Sequence, residues 1–209
     1  MRRTTPSTLS VPGMTYREVK VVPHDPAWAE AFRKEAATLR SVFGDEAVAI
    51  RHIGSTSVPG LAAKPTVDVL VEVRRIWAVD ALNDAMVASG HQARGEYGIP
   101  GRRYFTRNSG AARTHNVHVF EADSPEARRH LAFRDYLRQH PETARAYGDL
   151  KKELARRHPT DIESYMDGKD AFVKSVEKEA ISWSRTAEGQ AEMPKARAAG
   201  PKRADRLTS

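Results

Sequence analysis

A serine and an aspartate thirteen residues apart have the types and spacing to do phosphate chemistry. Gly54 and Ser55 follow the hydrophobic run AVAIRHI, and Asp68 interrupts a second run, TVDVLVEV, that is rich in β-branched residues. Glycine lets the backbone approach a ligand closely, and a serine hydroxyl with nearby N–H groups can hold phosphate oxygens. An acid inside an apolar strand is costly unless a metal ion or a basic group compensates it. The pattern therefore predicts that Ser55 holds a phosphate and that Asp68 holds a metal ion.

The second carboxylate that two-metal phosphoryl transfer requires is missing from the expected position. Two acids at i and i+2 of a strand are about 6.6 Å apart on one face and can bridge ions that lie roughly 3.5–4 Å apart. Position 70 is a leucine. Glu72 shares the face of Asp68 but lies roughly 13 Å along the strand. The sequence leaves open a single weak Mg²⁺ or Mn²⁺ site, with Glu72 completing the metal shell or acting as a base, or no metal at all.

Histidines and basic residues supply the remaining candidates. His52 lies two residues before Gly54, and His118 lies in the strand pattern HNVHVFEA. Together with Asp68 these two histidines are candidate metal ligands, with His118 also a candidate base. Hydrogen bonding to the backbone or to carboxylates is an equally good explanation for both. Six cations are candidates for neutralising phosphate charge, namely Lys64, Arg102, Arg103, Arg134, Lys151 and Lys169. Lys169 interrupts an apolar helical stripe, so it either extends its charge to solvent or faces a bound anion.

The composition limits the class of protein and its partners. The chain has 209 residues, 40% of them hydrophobic and none of them cysteine, which excludes disulfides and cysteine nucleophiles. No apolar run reaches the roughly 20 residues that cross a bilayer, and the N-terminus lacks the apolar stretch of a signal peptide, so a cytoplasmic location fits. The net charge of +7 favours an anionic partner, either a nucleic acid or a small anion such as a nucleoside triphosphate. Nucleic acid ranks last, because aromatic and basic residues do not alternate regularly.

The elements that must position these residues form an α+β pattern. Tails are predicted at 1–14 and at 188–209, where polar and charged residues predominate and disorder is expected. Between them we expect an α/β core over 15–123 and a helical subdomain over 124–187. Strands are predicted at 15–23, 47–53, 66–73, 102–108 and 115–122. Helices are predicted from the HDP at 24–26 through Leu39, and at 75–90, 125–140, 141–158 and 161–185.

Several long motifs resemble the GrpB-like family. They are HIGSTSVPGLAAKPTVDVLV, THNVHV, HLAFRDYLR, YGDLK and YMDGKDAFV, and the similarity extends over about 16–184. The resemblance implies a nucleotidyltransferase-like mixed sheet with flanking helices and a C-terminal helical part. Its pattern falls on His52, Gly54, Ser55, Lys64, Asp68, His118, Arg134, Lys151 and Lys169. The chain departs from that pattern at Asn116, where histidine is frequent, and Leu70 replaces the second acid of the wider superfamily.

Two functions of different classes follow from these residues. The first, which we favour from the sequence, is an enzyme that binds a nucleoside triphosphate and, with a divalent metal, transfers its nucleotidyl group to a small acceptor. The second is a non-catalytic module that binds a nucleotide or another anionic metabolite and has lost the second metal carboxylate. Leu70 favours the second function. In both, we expect the ligand to lie between the core and the helical half, because clefts between subdomains are common ligand sites.

Overall fold

A computed structural model describes residues 18–192 as a mixed five-stranded sheet that is covered by helices on both faces. The strands are β1 (Ala47–Ile53), β2 (Val67–Val73), β3 (Gln92–Ala93), β4 (Arg103–Ser109) and β5 (Ala112–Glu121). The helices are α1 (Ala27–Phe43), α2 (Asn83–Ala88), α3 (Pro125–Gln139), α4 (Pro141–Arg157), α5 (Ile162–Trp183) and α6 (Ala187–Glu192). Short 3₁₀ segments cover Gly44–Glu46, Ser55–Ser57 and Ile76–Leu82.

The sheet order β1-β2-β5-β4-β3 places the candidate aspartate next to the strand of the candidate histidine. β2 runs antiparallel to β1 and parallel to β5, and β5 runs antiparallel to β4. In this register Asp68 pairs with Asn116, and Leu70 pairs with His118. Side chains alternate between the two faces of a strand, so Asp68, Asn116 and His118 share one face.

Strand alternation also explains why β2 is buried on both faces. Val69 and Val71 point to a core that α1 completes with Leu39 and Phe43. Leu70 points to the opposite core, which includes Ile53 and Phe120 of neighbouring strands and Ala127 and Leu131 of α3. The first helix of the C-terminal half thus covers the sheet itself.

The helical half packs on the connection between β1 and β2. Val58 and Leu61 of that connection join one apolar cluster with α3, α4 and α5, including Tyr147 and Trp183. α3 begins with Ser124, whose side chain accepts a hydrogen bond from the Ala127 N–H, and α5 begins with an equivalent Asp161 cap. These contacts fix α4 and α5 beside the turn that carries Gly54 and Ser55.

The predicted fold class, a mixed sheet with flanking helices and a C-terminal helical part, is confirmed. Two predicted elements differ. Of the strand expected at 15–23, residues 15–17 lie outside the described residues, and 18–23 make only an isolated bridge, Val22 to Ala63, because Val19 instead donates its N–H to the Pro159 carbonyl near the start of α5. The helix expected at 75–90 is a 3₁₀ segment followed by the short α2. No helix in residues 18–192 is long and apolar enough to cross a membrane.

Helix α6 extends into the C-terminal tail that the sequence predicted at 188–209. Residues 188–192 belong to α6, and Gly189 of that helix is buried. A carbon at the Cβ position of Gly189 would lie 2.2 Å from the Trp183 carbonyl oxygen, so the close approach requires glycine. The remainder, 193–209, and the predicted N-terminal tail, 1–14, lie outside the described residues.

Truncation should separate the two parts of this C-terminal segment. We expect deletion of 193–209 to change the melting temperature by no more than about 2 °C, because the segment has few apolar residues to bury. Deletion of 187–209 also removes α6 and should lower it by about 3–6 °C, the effect of roughly 1.5 kcal/mol in a domain of this size. Differential scanning calorimetry of the two truncations tests this. Equal melting temperatures would show that α6 contributes nothing.

Candidate functional site

A cleft of about 640 Å³ lies where the β1–β2 connection, the sheet and helices α4 and α5 meet. Residues from all of these elements line it. They are Ser55, Thr56, Ala63, Lys64, Thr66, Asp68, Arg94, Tyr97, Arg102, Tyr104, Thr106, Arg113, Asn116, His118, Tyr147, Lys151, Ile162, Tyr165, Met166 and Lys169. The cleft thus brings together Ser55, Lys64, Asp68, Arg102, His118, Lys151 and Lys169 from the sequence-based set.

Gly54 brings the serine turn against the aspartate. Its φ of +67° lies in the left-handed region that favours glycine. A carbon at its Cβ position would lie 2.4 Å from Asp68 Oδ2. Glycine is therefore required at position 54 for two reasons, namely the backbone conformation and the close approach of Asp68.

The Asp68 carboxylate is held by side chains of the neighbouring strand β5. Asn116 donates its Nδ2 to Asp68 Oδ1 at 2.7 Å, and Nε2 of His118 lies 3.8 Å from the same oxygen. The Asn116 amide is oriented from its other side, because Oδ1 accepts from the Tyr104 hydroxyl at 2.7 Å and from Arg113 Nη1 at 3.1 Å. Two donors on Oδ1 fix the amide so that its NH₂ faces the carboxylate.

These contacts keep Asp68 ionised. Burial acts to raise the pKa of the carboxyl, but the nearby His118 ring, the Asn116 hydrogen bond and the charge of Lys169 outweigh it and lower the pKa below its ordinary value. These neighbouring side chains therefore offset the free-energy cost of burying a negative charge in this strand.

The helical wall of the cleft carries two lysines. Lys151 is only 2% exposed, and its Nζ has no hydrogen-bond partner among the described residues. This Nζ lies 4.3 Å from the centre of the Tyr147 ring. Burial, with the charge of Lys169, lowers the pKa of Lys151 to about 7. Lys169 is half-buried, with Nζ 5.7 Å from the Tyr165 ring, and burial lowers its pKa too, although the charge of Asp68 opposes this.

Two predicted cations and one predicted acid have partners outside the cleft. Arg103 pairs with the Asp80 carboxylate. Arg134 pairs with Asp135, through Nε at 2.7 Å and Nη2 at 2.8 Å, and also donates to the backbone. Glu72 is buried and accepts from Arg51 Nε at 2.8 Å. These three charges are already compensated by protein groups, and none of them lines the cleft.

His52 likewise points away from Asp68. Its Nε2 lies 3.0 Å from Thr56 Oγ1, and its ring stacks on Phe32 with centroids 4.9 Å apart. Burial lowers the pKa of His52 to about 4. Within residues 18–192 no group of three or more His, Cys, Asp or Glu side chains could hold a metal ion. The predicted metal ligands His52, Asp68 and His118 therefore do not come together at one point. Of the three, Asp68 and His118 lie next to each other.

The structure adds aromatic residues that the sequence interpretation missed. Tyr97 and Tyr104 stack with ring centroids 5.4 Å apart, and Tyr104 lies 5.1 Å from the His118 ring. Arg102 contacts this group, with its guanidinium 4.6 Å from the Tyr104 centroid. Strand alternation is the one sequence signal that could have identified Tyr104. Once β4 is paired with β5, it places Tyr104 on the same face as Thr106, which also lines the cleft.

This geometry defines an α/β protein with a cation-rich cleft between a mixed sheet and a helical half. The sequence model of the GrpB family, described as "GrpB protein", matches residues 18–179, and the chain belongs to this family.

Relatives and a solved structure agree with this assignment. UPF0157 protein YqkA of Bacillus subtilis is 48% identical to this chain over 81% of the chain's length. The chain spans 49% of that relative's length, about half of it. Glutamate-rich protein GrpB of Alkalihalophilus pseudofirmus is 32% identical over 78% of the chain and 97% of the relative. The crystal structure of conserved protein GrpB from Enterococcus faecalis superimposes with a TM-score of 0.75 at 47% identity, covering 78% of this chain and 98% of that one.

Proposed function

We propose that this protein binds a nucleoside triphosphate in the cleft as a nucleotide-binding module in the cytoplasm. The observation that carries the proposal is the charge of the cleft lining. Six basic side chains face it, and among the described residues Asp68 is its single acid. The six are Lys64, Arg94, Arg102, Arg113, Lys151 and Lys169. A polyphosphate matches this excess of positive charge.

The buried lysine supports an anionic ligand in particular. A buried charge without a hydrogen-bond partner costs free energy, and a ligand that supplies the partner recovers it. The Lys151 Nζ meets that description. Ser55, whose hydroxyl interacts with that of Tyr147, lies at the turn beside the same wall. A phosphate group bound there would contact both the serine and the lysine.

The single acid favours binding over two-metal chemistry. Two-metal transfer needs carboxylates that bridge two ions roughly 3.5–4 Å apart. Leu70 is buried in the α3-facing core, and Glu72 is paired with Arg51. Neither position supplies a second carboxylate to Asp68.

A second candidate function is nucleotidyl transfer with one metal ion, and it rests on the 3.8 Å contact between Asp68 and His118. These two residues would hold Mg²⁺ or Mn²⁺, which would neutralise phosphate charge and polarise the α-phosphorus for attack by the hydroxyl of a small acceptor, with pyrophosphate as the leaving group. If His118 does not hold a metal, its imidazole can accept the proton of the acceptor hydroxyl.

Asp68→Asn separates the two functions. In the binding module, removal of the lone negative charge should tighten ATP binding about fivefold, the effect of roughly 1 kcal/mol of charge repulsion, with or without Mg²⁺. In the metal-dependent enzyme, the same substitution should abolish the part of ATP binding that depends on Mg²⁺. Isothermal titration calorimetry of both proteins, each with Mg²⁺ and with EDTA, distinguishes these results.

Asp80→Asn is the matched control, because it makes the same change of charge at a site that pairs with Arg103 outside the cleft. It should bind ATP as the unmodified protein does. The binding proposal is wrong if the unmodified protein binds no nucleoside triphosphate under either condition.

A further inference from the structure

Tyr97 is held in an unusual conformation at the mouth of the cleft. Its φ is +45°, one of two positive values among non-glycine residues in the described chain, and it is 69% exposed. A left-handed conformation is rare for a bulky residue and costs roughly 1–3 kcal/mol, so the surrounding structure must impose it. An exposed tyrosine in such a conformation is not explained by packing in a core.

The loop around Tyr97 is fixed by its own hydrogen bonds. Arg102 donates through Nη2 to the Tyr97 carbonyl at 2.7 Å and through Nε to the Glu96 carbonyl at 3.1 Å. Glu96 Oε1 accepts from the Gly101 N–H at 2.7 Å. Arg102, predicted as a phosphate contact, therefore also has a structural role, because its guanidinium holds the loop that presents the tyrosine.

The Tyr97 ring ends a series of rings that leads to Asp68. Tyr97 stacks on Tyr104 at 5.4 Å with an interplanar angle of 29°, and Tyr104 lies 5.1 Å from His118. Nε2 of His118 lies 3.8 Å from Asp68. Since one face of Tyr97 is covered by Tyr104 and the side chain remains largely exposed, its other face is open to a planar ligand.

A second exposed apolar side chain lines the same cleft from the helical half. Met166 of α5 is 47% exposed. The described residues contain four large exposed hydrophobic side chains, and two of them, Tyr97 and Met166, line this cleft. Exposed apolar groups that converge on a polar site are typical of ligand contacts.

We infer that Tyr97 stacks on the nucleobase of the bound ligand, with Met166 contacting the base from α5. This inference rests on the proposed nucleotide-binding function and adds the orientation of the ligand. The base lies at the mouth, on an uncharged aromatic surface, and the polyphosphate extends inward to Lys151 and Lys169. Stacking on one tyrosine accepts any base, because every base has a π face. The subsite therefore selects a nucleotide over a free polyphosphate without selecting one base.

The test compares ATP with inorganic tripolyphosphate, which has the phosphates but no base. Tyr97→Ala should weaken ATP binding by about 5- to 150-fold, the range for loss of one base–aromatic stack. It should leave the affinity for tripolyphosphate unchanged. Tyr97→Phe keeps the ring and should bind ATP nearly as the unmodified protein does. Titration calorimetry gives the affinities, and thermal melts confirm that each variant is folded.

Two further variants make the result decisive. Trp77→Ala removes another exposed aromatic ring, one outside the cleft, and should change neither affinity. Met166→Ala, on a different element, should weaken ATP binding selectively, by about 2- to 5-fold. It tests the subsite even if Tyr97→Ala is unstable.

The outcomes separate the two proposals. If Tyr97→Ala and Met166→Ala both bind ATP as tightly as the unmodified protein, or lose ATP and tripolyphosphate affinity equally, the base subsite is wrong and polyphosphate binding stands. If the unmodified protein binds neither ATP nor tripolyphosphate, the proposed function itself fails, and the subsite with it.

Discussion

Replacement of Lys151 by methionine is expected to stabilise the empty protein and, at the same time, to weaken ATP binding by about 10- to 150-fold. The loss of affinity follows from removing one charge-assisted contact to phosphate, which contributes about 1.5–3 kcal/mol. The gain in stability follows from the environment of the lysine, which is 2% exposed and has no hydrogen-bond partner in the described chain. Methionine keeps most of the packing volume without the charge.

The pH dependence of this gain has a definite sign. In the folded protein the pKa of Lys151 is lowered from 10.5 to about 7, chiefly by burial. Between these two values the unfolded chain binds more protons than the folded one, so the unmodified protein becomes more stable as the pH rises from 7 toward 10. Below pH 7 the full penalty is present, roughly 5 kcal/mol at about 1.4 kcal/mol per pKa unit. The stability advantage of Lys151→Met should therefore be largest at pH 6–7 and nearly vanish at pH 10.

Thermal melts at several pH values, with ATP titrations at pH 7, measure both effects. We expect the melting temperature of Lys151→Met to exceed that of the unmodified protein by about 10–20 °C at pH 6–7. Lys152→Met is the control, since this neighbouring lysine is exposed, pairs with Asp149 at 3.1 Å and does not line the cleft. It should change neither property. A stability difference that is the same at pH 6 and pH 10 would show that the Lys151 charge carries no penalty.

Gly54→Ala should cause the largest loss of stability among the glycine substitutions near the site. Alanine at a φ of +67° costs roughly 1–3 kcal/mol, and its Cβ would lie 2.4 Å from Asp68 Oδ2. To avoid that contact the carboxylate must move, which disturbs its 2.7 Å hydrogen bond from Asn116. The combined cost is roughly 2–5 kcal/mol, so the melting temperature should fall by about 5–15 °C.

Gly60→Ala separates the two causes. Gly60 has a similar φ of +76°, but no atom of the described residues outside its immediate chain neighbours lies within 4 Å of its Cβ position. It should lose only the backbone part, a fall of about 2–6 °C. The double variant Gly54→Ala/Asp68→Ala removes the opposing carboxylate and should be more stable than the sum of the two single variants predicts. Equal melting temperatures for Gly54→Ala and Gly60→Ala would mean that the approach of Asp68 to the turn is not tight.

Local sequence patterns were sufficient where a residue and its neighbours along the chain define the structure. The β-branched run around Asp68 predicted β2, and the strand patterns at 102–108 and 115–122 predicted β4 and β5, which are joined by a turn in which Gly110 has a φ of +56°. The Gly54–Ser55 turn was predicted for the same reason, because a glycine after a hydrophobic run favours a left-handed turn. Lys169, which interrupts an apolar helical stripe, lines the cleft, and its contact with a bound anion stays a prediction.

Partners that are distant in sequence were decided only by the tertiary structure. Strand alternation placed Glu72 and Asp68 on one face, but it could not show that Arg51 of β1 would neutralise Glu72. His52 is two residues from Gly54 and yet contacts Phe32 of α1 and Thr56. Arg103 was assigned to phosphate because of its neighbours, whereas its charge is compensated by Asp80.

Local sequence patterns therefore predicted β1, β2, β4 and β5, the turn and the position of the acid, because backbone preference and side-chain periodicity act over a few residues. The tertiary structure decided which charges remain to bind a ligand, because ion pairing and burial depend on groups that the fold brings together from far apart. Lys151 illustrates the division. Its place on a helix follows from local sequence, whereas its burial beside Lys169 and Tyr147, with no hydrogen-bond partner among residues 18–192, exists only once α4, α5 and the serine turn have packed.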